Sequence, residues 1–218
     1  MGTGIAPLGR VAPPTGQRSE MTGFVLAGGA SRRMGRDKAW LPVGARSLIE
    51  LVIDRLAPYV NQVIVIGREP DASRLLKLEV DGVLTDCKPA WGPLMGVYTG
   101  LMHTETDLNL FVSCDMPWIH GRLIERLIGA YQHGRTVVMS RHPLHGIQPL
   151  PLLCHTQACR TIGTLLDRNE RSLKALIAQP GTYAASIHEP ALRRSFTNVN
   201  TLADYAILAH EAADASRS

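Results

Sequence analysis

The feature that most constrains the fold is an apolar run, Phe24 to Ala27, that passes directly into Gly28-Gly29 and then into Ala30-Ser31-Arg32-Arg33-Met34-Gly35-Arg36-Asp37-Lys38. An unbroken apolar run suits a strand buried on both faces, as a parallel sheet requires. Gly28, Gly29 and Gly35 accept positive φ and let backbone N–H groups approach a polyanion with no Cβ in the way. Arg32, Arg33, Arg36 and Lys38 then place four cations within seven residues, just ahead of an apolar helical stretch. The segment reads as a triphosphate cradle. It is neither G-x-G-x-x-G nor a loop followed by Gly-Lys-Ser/Thr, so the dinucleotide and P-loop readings do not fit.

Downstream, strand-like and helix-like runs alternate. Strands are expected at Gly23 to Ala27, Gln62 to Ile66, Gly82 to Thr85 and Leu108 to Ser113. Helices are expected near Ser47 to Pro58, Ala72 to Leu78, Leu94 to His103 and Gly121 to His133. This alternation predicts a three-layer αβα sandwich with a mainly parallel, Rossmann-like sheet. After Arg135 to Ser140 the pattern loosens. Leu150 to Cys154 is expected to return as a short antiparallel strand, Thr156 to Asp167 and Ser172 to Gln179 as helices, and Thr201 to Ala213 as a helix capped by Thr201 or Asn200. Residues 1–20 hold seven Gly or Pro and one acidic residue, Glu20. They read as a disordered leader or extension, and 21–218 as one domain.

At 218 residues and 45% hydrophobic content the chain can bury a substantial core. A net charge of +4, without a long Lys/Arg run or an aromatic-rich basic face, favours a small phosphorylated substrate over nucleic acid. No secretory h-region and no stretch of ~20 apolar residues is present, which predicts a cytoplasmic protein without a membrane span. Cys87, Cys114, Cys154 and Cys159 lack C-x-x-C spacing and are expected to be buried thiols. His103, His142, His145 and His188 lack metal-ligand spacing and are expected at the surface or in loops.

Ligands of open parallel sheets bind beyond the carboxyl ends of the strands. The loop after Ala27, Asp86 after the third strand and Asp115 after the fourth all fall there. Asp115 follows an apolar strand and is held by Met116-Pro117, which suits a Mg²⁺ ligand; a plain helix cap is the alternative. Lys38 is a compact cation for charge that moves during phosphoryl chemistry, with Arg33 second to it. Asp86 can accept from a guanine edge or from ribose hydroxyls, or form an Asx turn before Pro89. Asn198 and Asn200 are expected on one face of a short strand, where they donate to an acceptor phosphate or assist the metal, or else close the last turn before the helix.

Leu26-Ala-Gly-Gly-Ala-Ser-Arg-Arg-Met-Gly-Arg-Asp-Lys-Ala39 resembles the signature loop of nucleotidyltransferases that include the MobA-type molybdenum cofactor guanylyltransferases. Four further segments match in order: Asp86 with Gly92-Pro93-Leu94-Met95-Gly96, Cys114-Asp115-Met116-Pro117, Gln148-Pro149-Leu150, and Phe196-Thr197-Asn198-Val199-Asn200-Thr201. The resemblance implies a Mg²⁺-dependent transfer of GMP from GTP to molybdenum-bound molybdopterin, with pyrophosphate released. It implies nucleotide contacts at Leu26, Ala27, Gly28, Gly29, Lys38, Asp86, Gly92 and Asp115, and acceptor-side positions at Gln148, Asn198 and Asn200. It also implies transient handover to other cofactor-biosynthesis proteins or apoenzymes. The Leu-Ala-Gly-Gly form is that of guanylyl members, against Leu-Ala-Ala-Gly in cytidylyl relatives. A cytidylyl or sugar-phosphate nucleotidyltransferase and a noncatalytic nucleotide sensor are the rival readings. Ile66-Gly67-Arg68 departs from the family, which in some members places an asparagine there.

Overall fold

The computed structural model describes residues 21–27, 37–68, 72–88 and 90–215. The leader 1–20 and loop residues 28–36, including Gly28, Gly29 and Arg33, lie outside the described residues. In chain order the first half comprises β1 (Met21–Leu26), β2 (Pro42–Val43), β3 (Arg46–Ser47), α1 (Leu48–Leu56), β4 (Gln62–Gly67), α2 (Ala72–Leu75), β5 (Gly82–Thr85), α3 (Pro93–His103) and β6 (Leu108–Ser113). There follow α4 (Gly121–Ala130), β7 (Val137–His142), β8 (Gly146–His155), α5 (Ala158–Asp167), β9 (Thr182–Ser186) and α6 (Leu202–Ala215).

Seven strands form one sheet in the order β5-β4-β1-β6-β8-β7-β9. All neighbours pair in parallel except β8, which runs antiparallel to both β6 and β7. The expected architecture is therefore present, with the antiparallel part in the second half. Alternation along each strand supplies two cores. Val25, Val65 and Val112 pack with Ile49, Val52 and Ile53 of α1 and Ile124 and Leu127 of α4. Phe24, Ile66 and Phe111 pack with Leu94 and Leu101 of α3 and Ile162 of α5 on the opposite face. Phe24 and Phe111 stack with centroids 4.7 Å apart. α1 begins with a capping box in which Ser47 and Glu50 satisfy each other's backbone.

Register sets the rim. Leu26 is level with Ile66 and with Ser113, and Gly67 with Thr85. Ala27, Arg68, Asp86 and Asp115 therefore emerge at the same end of the sheet. The strand order reverses between β1 and β6, the switch point at which open α/β sheets bind ligands.

Several expectations are corrected. Segment 197–200 is not a strand; it is held by the Val199 N–H, which donates to Asp115 O at 2.9 Å. The expected helix at Ser172 to Gln179 is a 3-10 turn, Leu173–Ala178. The cap of α6 is Thr201, not Asn200: the Asp204 N–H donates to Thr201 Oγ1 at 3.1 Å, and Asp204 Oδ2 accepts from the Thr201 N–H at 2.8 Å. Cys114 and Cys154 are buried but Cys87 is exposed. His142 is buried at the end of β7, whereas His103, His145 and His188 are exposed.

Gly92 opens α3 at φ +82°, and a Cβ there would meet the Arg171 carbonyl oxygen at 2.8 Å. Both the dihedral and the close backbone approach require glycine. Gly92→Ala is expected to cost at least ~2 kcal/mol, lowering the thermal midpoint by about 5 °C in a chain of this size. Calorimetry checks this, and an unchanged midpoint would show that the turn relaxes freely.

Candidate active site at the strand ends

A cleft of about 220 Å³ opens at the rim, lined among others by Leu26, Lys38, Asp86, Gly92, Asp115 and Leu150. Ala27, next in the chain after Leu26, is buried and does not line the cleft; its N–H donates to Ile66 O at 2.8 Å. Leu26, Lys38, Asp86, Gly92 and Asp115 of the expected nucleotide set thus converge from β1, the ends of β5 and β6, the start of α3 and the turn carrying Lys38.

Asp115 projects from the turn after β6. The Cys114 N–H donates to Leu26 O at 3.1 Å and the Met116 N–H to Ser113 O at 3.2 Å, which fixes the backbone on both sides of the carboxylate. Asp115 is 4% exposed. Oδ2 pairs with Lys38 Nζ, whereas Oδ1 is buried with no hydrogen-bond partner among the described residues. Asp115 is not a helix cap, because His120 caps α4 by accepting from the Arg122 N–H at 3.1 Å. A buried carboxylate oxygen with no donor is costly unless something else meets it.

Lys38 begins a short 3-10 turn, Lys38–Trp40, whose cap Asp37 accepts from the Ala39 N–H at 3.3 Å. Besides Asp115, Nζ donates to Asn200 Oδ1 at 3.3 Å. Asn200 reaches this point because α6 is pinned against β2 and the start of α1. Leu208 packs with Val43, Leu48 and Val199, and Tyr205 Oη donates to Pro42 O at 2.6 Å. Three residues remote in sequence thereby meet at one lip.

Asp86 occupies the other side of the cleft. Its N–H donates to Gly67 O at 3.0 Å. Its Oδ1 is buried and lacks a hydrogen-bond partner among the described residues, so no Asx turn uses that oxygen. Burial pushes the carboxyl up to about 6. Beside it, the Cys114 thiol is pushed far above its usual range, first by burial and then by the Asp115 charge, which makes it unsuited to nucleophilic attack.

On the acceptor side only Asn200 enters the constellation. Asn198 is half-buried and does not line the cleft. Gln148 ties its own hairpin, Nε2 donating to His145 O at 3.2 Å and Gly146 O at 3.4 Å. Two residues of this region stand in segments that the resemblance singles out but have no role assigned by the sequence. Leu150 forms part of the cleft wall, and Arg68 reaches back to Asp37 at 3.6 Å.

A family model described as the MobA-like NTP transferase domain matches residues 23–184. The chain is 30% identical over 187 residues to a molybdenum cofactor guanylyltransferase of Vibrio campbellii, covering 85% of this chain and 93% of that one. It is 30% identical over 185 residues to one of Haemophilus influenzae, covering 84% and 95%. Among solved structures, molybdopterin-guanine dinucleotide biosynthesis protein A from Archaeoglobus fulgidus shares the fold, with a TM-score of 0.75 over 89% of this chain and 100% of that one at 20% identity.

Proposed function

Because the chain belongs to the MobA-like NTP transferase family, we propose that it transfers GMP from GTP to the phosphate of molybdenum-bound molybdopterin, releasing pyrophosphate. The observation that carries this reading is the convergence of Lys38, Asp115 and Asn200 on the cleft that Asp86 also lines. An acceptor phosphate oxygen is already anionic and can attack the α-phosphorus without an enzymic base. The protein must therefore hold two polyanions in line and offset their charge.

Asp86 takes the nucleoside end, through guanine N–H groups or ribose hydroxyls. Lys38 offsets charge at the α-phosphate and at the leaving pyrophosphate, and Arg33, on its place in the glycine loop, is the second cation. Asn200 holds Lys38 and stands where the acceptor phosphate arrives. The unpartnered Asp115 Oδ1 suits Mg²⁺, which takes one or two carboxylates and leaves its other positions to phosphates and water. The Asn200 amide oxygen, which accepts from the same Lys38 Nζ, offers a further oxygen donor. Bound there, the ion would supply countercharge to the triphosphate.

Thermal unfolding with each of the four nucleoside triphosphates and Mg²⁺ tests the reading, since a ligand at ~100 times its Kd adds about 2.7 kcal/mol. Selective protection by GTP, followed by pyrophosphate release when molybdenum-bound molybdopterin is added, is expected. Selective protection by CTP would favour the cytidylyl reading, and binding without release a sensor.

Asp86 makes binding depend on pH. Its carboxyl is raised from 3.8 to about 6, so the free protein is destabilised as pH rises through that window and carries the full cost of the buried charge above it. Donors on the nucleotide stabilise the charged form. GTP affinity is therefore expected to fall by about tenfold per unit as pH drops below about 6. Asp86→Asn should bind GTP weakly with a flattened profile. An identical profile in wild type and variant would remove Asp86 from nucleotide contact.

A further inference from the structure

A second cavity, of about 340 Å³, lies on the same rim between the β7–β8 hairpin and segment 190–197. β8 is antiparallel to both of its neighbours, so β6 and β7 run the same way, and His142 ends β7 at the end of the sheet that carries Asp115. In the strand order Asp86 lies on one side of Asp115 and His142 on the other. Thr197 lines the second cavity and Asn200 touches Lys38. Three residues of chain hold their Cα atoms within ~11 Å of one another.

The lining is organised. His142 is 4% exposed, and its Nδ1 accepts from the N–H groups of Leu144 at 3.1 Å and His145 at 3.2 Å. That ring nitrogen therefore carries no proton. Burial, followed by the nearby His145 and Arg193, favours the neutral ring. The His145 ring stacks on it at 4.6 Å and 20°, and Phe196 meets it edge-on at 5.4 Å. The two adjacent arginines differ. Arg194 is engaged by Glu211 and lies 4.7 Å over Trp118, whereas the exposed Arg193 side chain makes no hydrogen bond or ion pair among the described residues. The cavity thus offers an aromatic platform and one uncommitted guanidinium fork.

We propose that this cavity binds the planar heterocycle of the acceptor, with His145 as the stacking surface and Arg193 as the polar anchor. The assignment rests on the proposed function and adds to it the subsite that holds the pterin end. With the nucleoside by Asp86 and the phosphates at Lys38 and Asp115, the acceptor is left the β8–β7 side. In the reduced pterin of molybdopterin the ring nitrogens beside the C4 carbonyl carry hydrogens, so the carbonyl oxygen is the acceptor that a guanidinium N–H meets. Its ring face stacks on an imidazole in the offset manner of aromatic pairs.

The test is equilibrium binding of molybdenum-bound molybdopterin to the nucleotide-free protein, with the retained pterin oxidised and quantified by its fluorescence, in wild type, Arg193→Ala and His145→Ala. Both side chains are exposed, so thermal midpoints should stay near the wild-type value. Each variant is expected to bind molybdopterin about tenfold or more weakly while its protection by GTP is unchanged. Wild-type affinity in both variants would overturn the subsite and leave the proposed reaction standing. A wild-type protein that GTP protects but that binds no molybdopterin would overturn the reaction's acceptor, and the subsite with it.

Discussion

Asp115→Asn is expected to lower the rate of GMP transfer by on the order of a thousandfold while the fold is retained, since loss of one preorganised charge contact in group transfer costs ~10²–10³ and here it also removes the proposed Mg²⁺ ligand. The amide keeps the shape of the carboxylate. The backbone ties around it, from Cys114 to Leu26 and from Val199 to Asp115, do not involve the side chain. The fold should therefore persist, with a thermal midpoint lowered by no more than the loss of the Lys38–Asp115 pair accounts for. A second readout separates a ligand role from a purely electrostatic one. In wild type, Mg²⁺ should increase the protection given by GTP, and in Asp115→Asn that increment should vanish. Turnover near wild type, or an intact Mg²⁺ increment, would move the metal site elsewhere.

How much of this site the sequence discloses follows from what holds each part in place. β1, β4 and β6 are legible because their apolar runs are long enough to be buried on both faces, and β1 and β6 bring Leu26 and Asp115 to the rim by ending there. β9, with the sequence Thr-Tyr-Ala-Ala-Ser, carries no such run and pairs along one side only, so its pattern is weak. The β2–β3 hairpin turns on Gly44 at φ +61°, a signal too short to stand out beside the helix that follows.

The acceptor side is legible in composition but not in geometry. The two asparagines of segment 197–200 suggest a strand, yet a strand needs a partner, and the backbone bond from Val199 to Asp115 is the tie that joins this segment to the end of β6. Its position comes from α6 packing on Val43 and Leu48, a contact between the two ends of the described chain that local pattern does not encode. The same holds for His142. Its place in a polar strand end suggests exposure, but the hairpin folds two N–H groups onto its ring and Phe196 closes the side.

Lys38→Ala tests the pairing that joins these halves. Loss of the cation is expected to lower kcat by about a hundredfold, with a smaller effect on the KM for the acceptor, because the lysine acts most where charge moves. The free protein should change as well. Asp115 is 4% exposed and would lose the ammonium that faces Oδ2, at a cost of about 1–3 kcal/mol, since a buried charge without its partner is not resolvated. Mg²⁺ can offset that loss by binding the same carboxylate. The thermal midpoint of Lys38→Ala should therefore lie several degrees below wild type without the ion and rise more steeply than wild type as Mg²⁺ is added. Equal Mg²⁺ responses in the two proteins would mean that lysine and metal do not share Asp115. A lowered kcat would then have to come from Lys38 acting on the nucleotide alone.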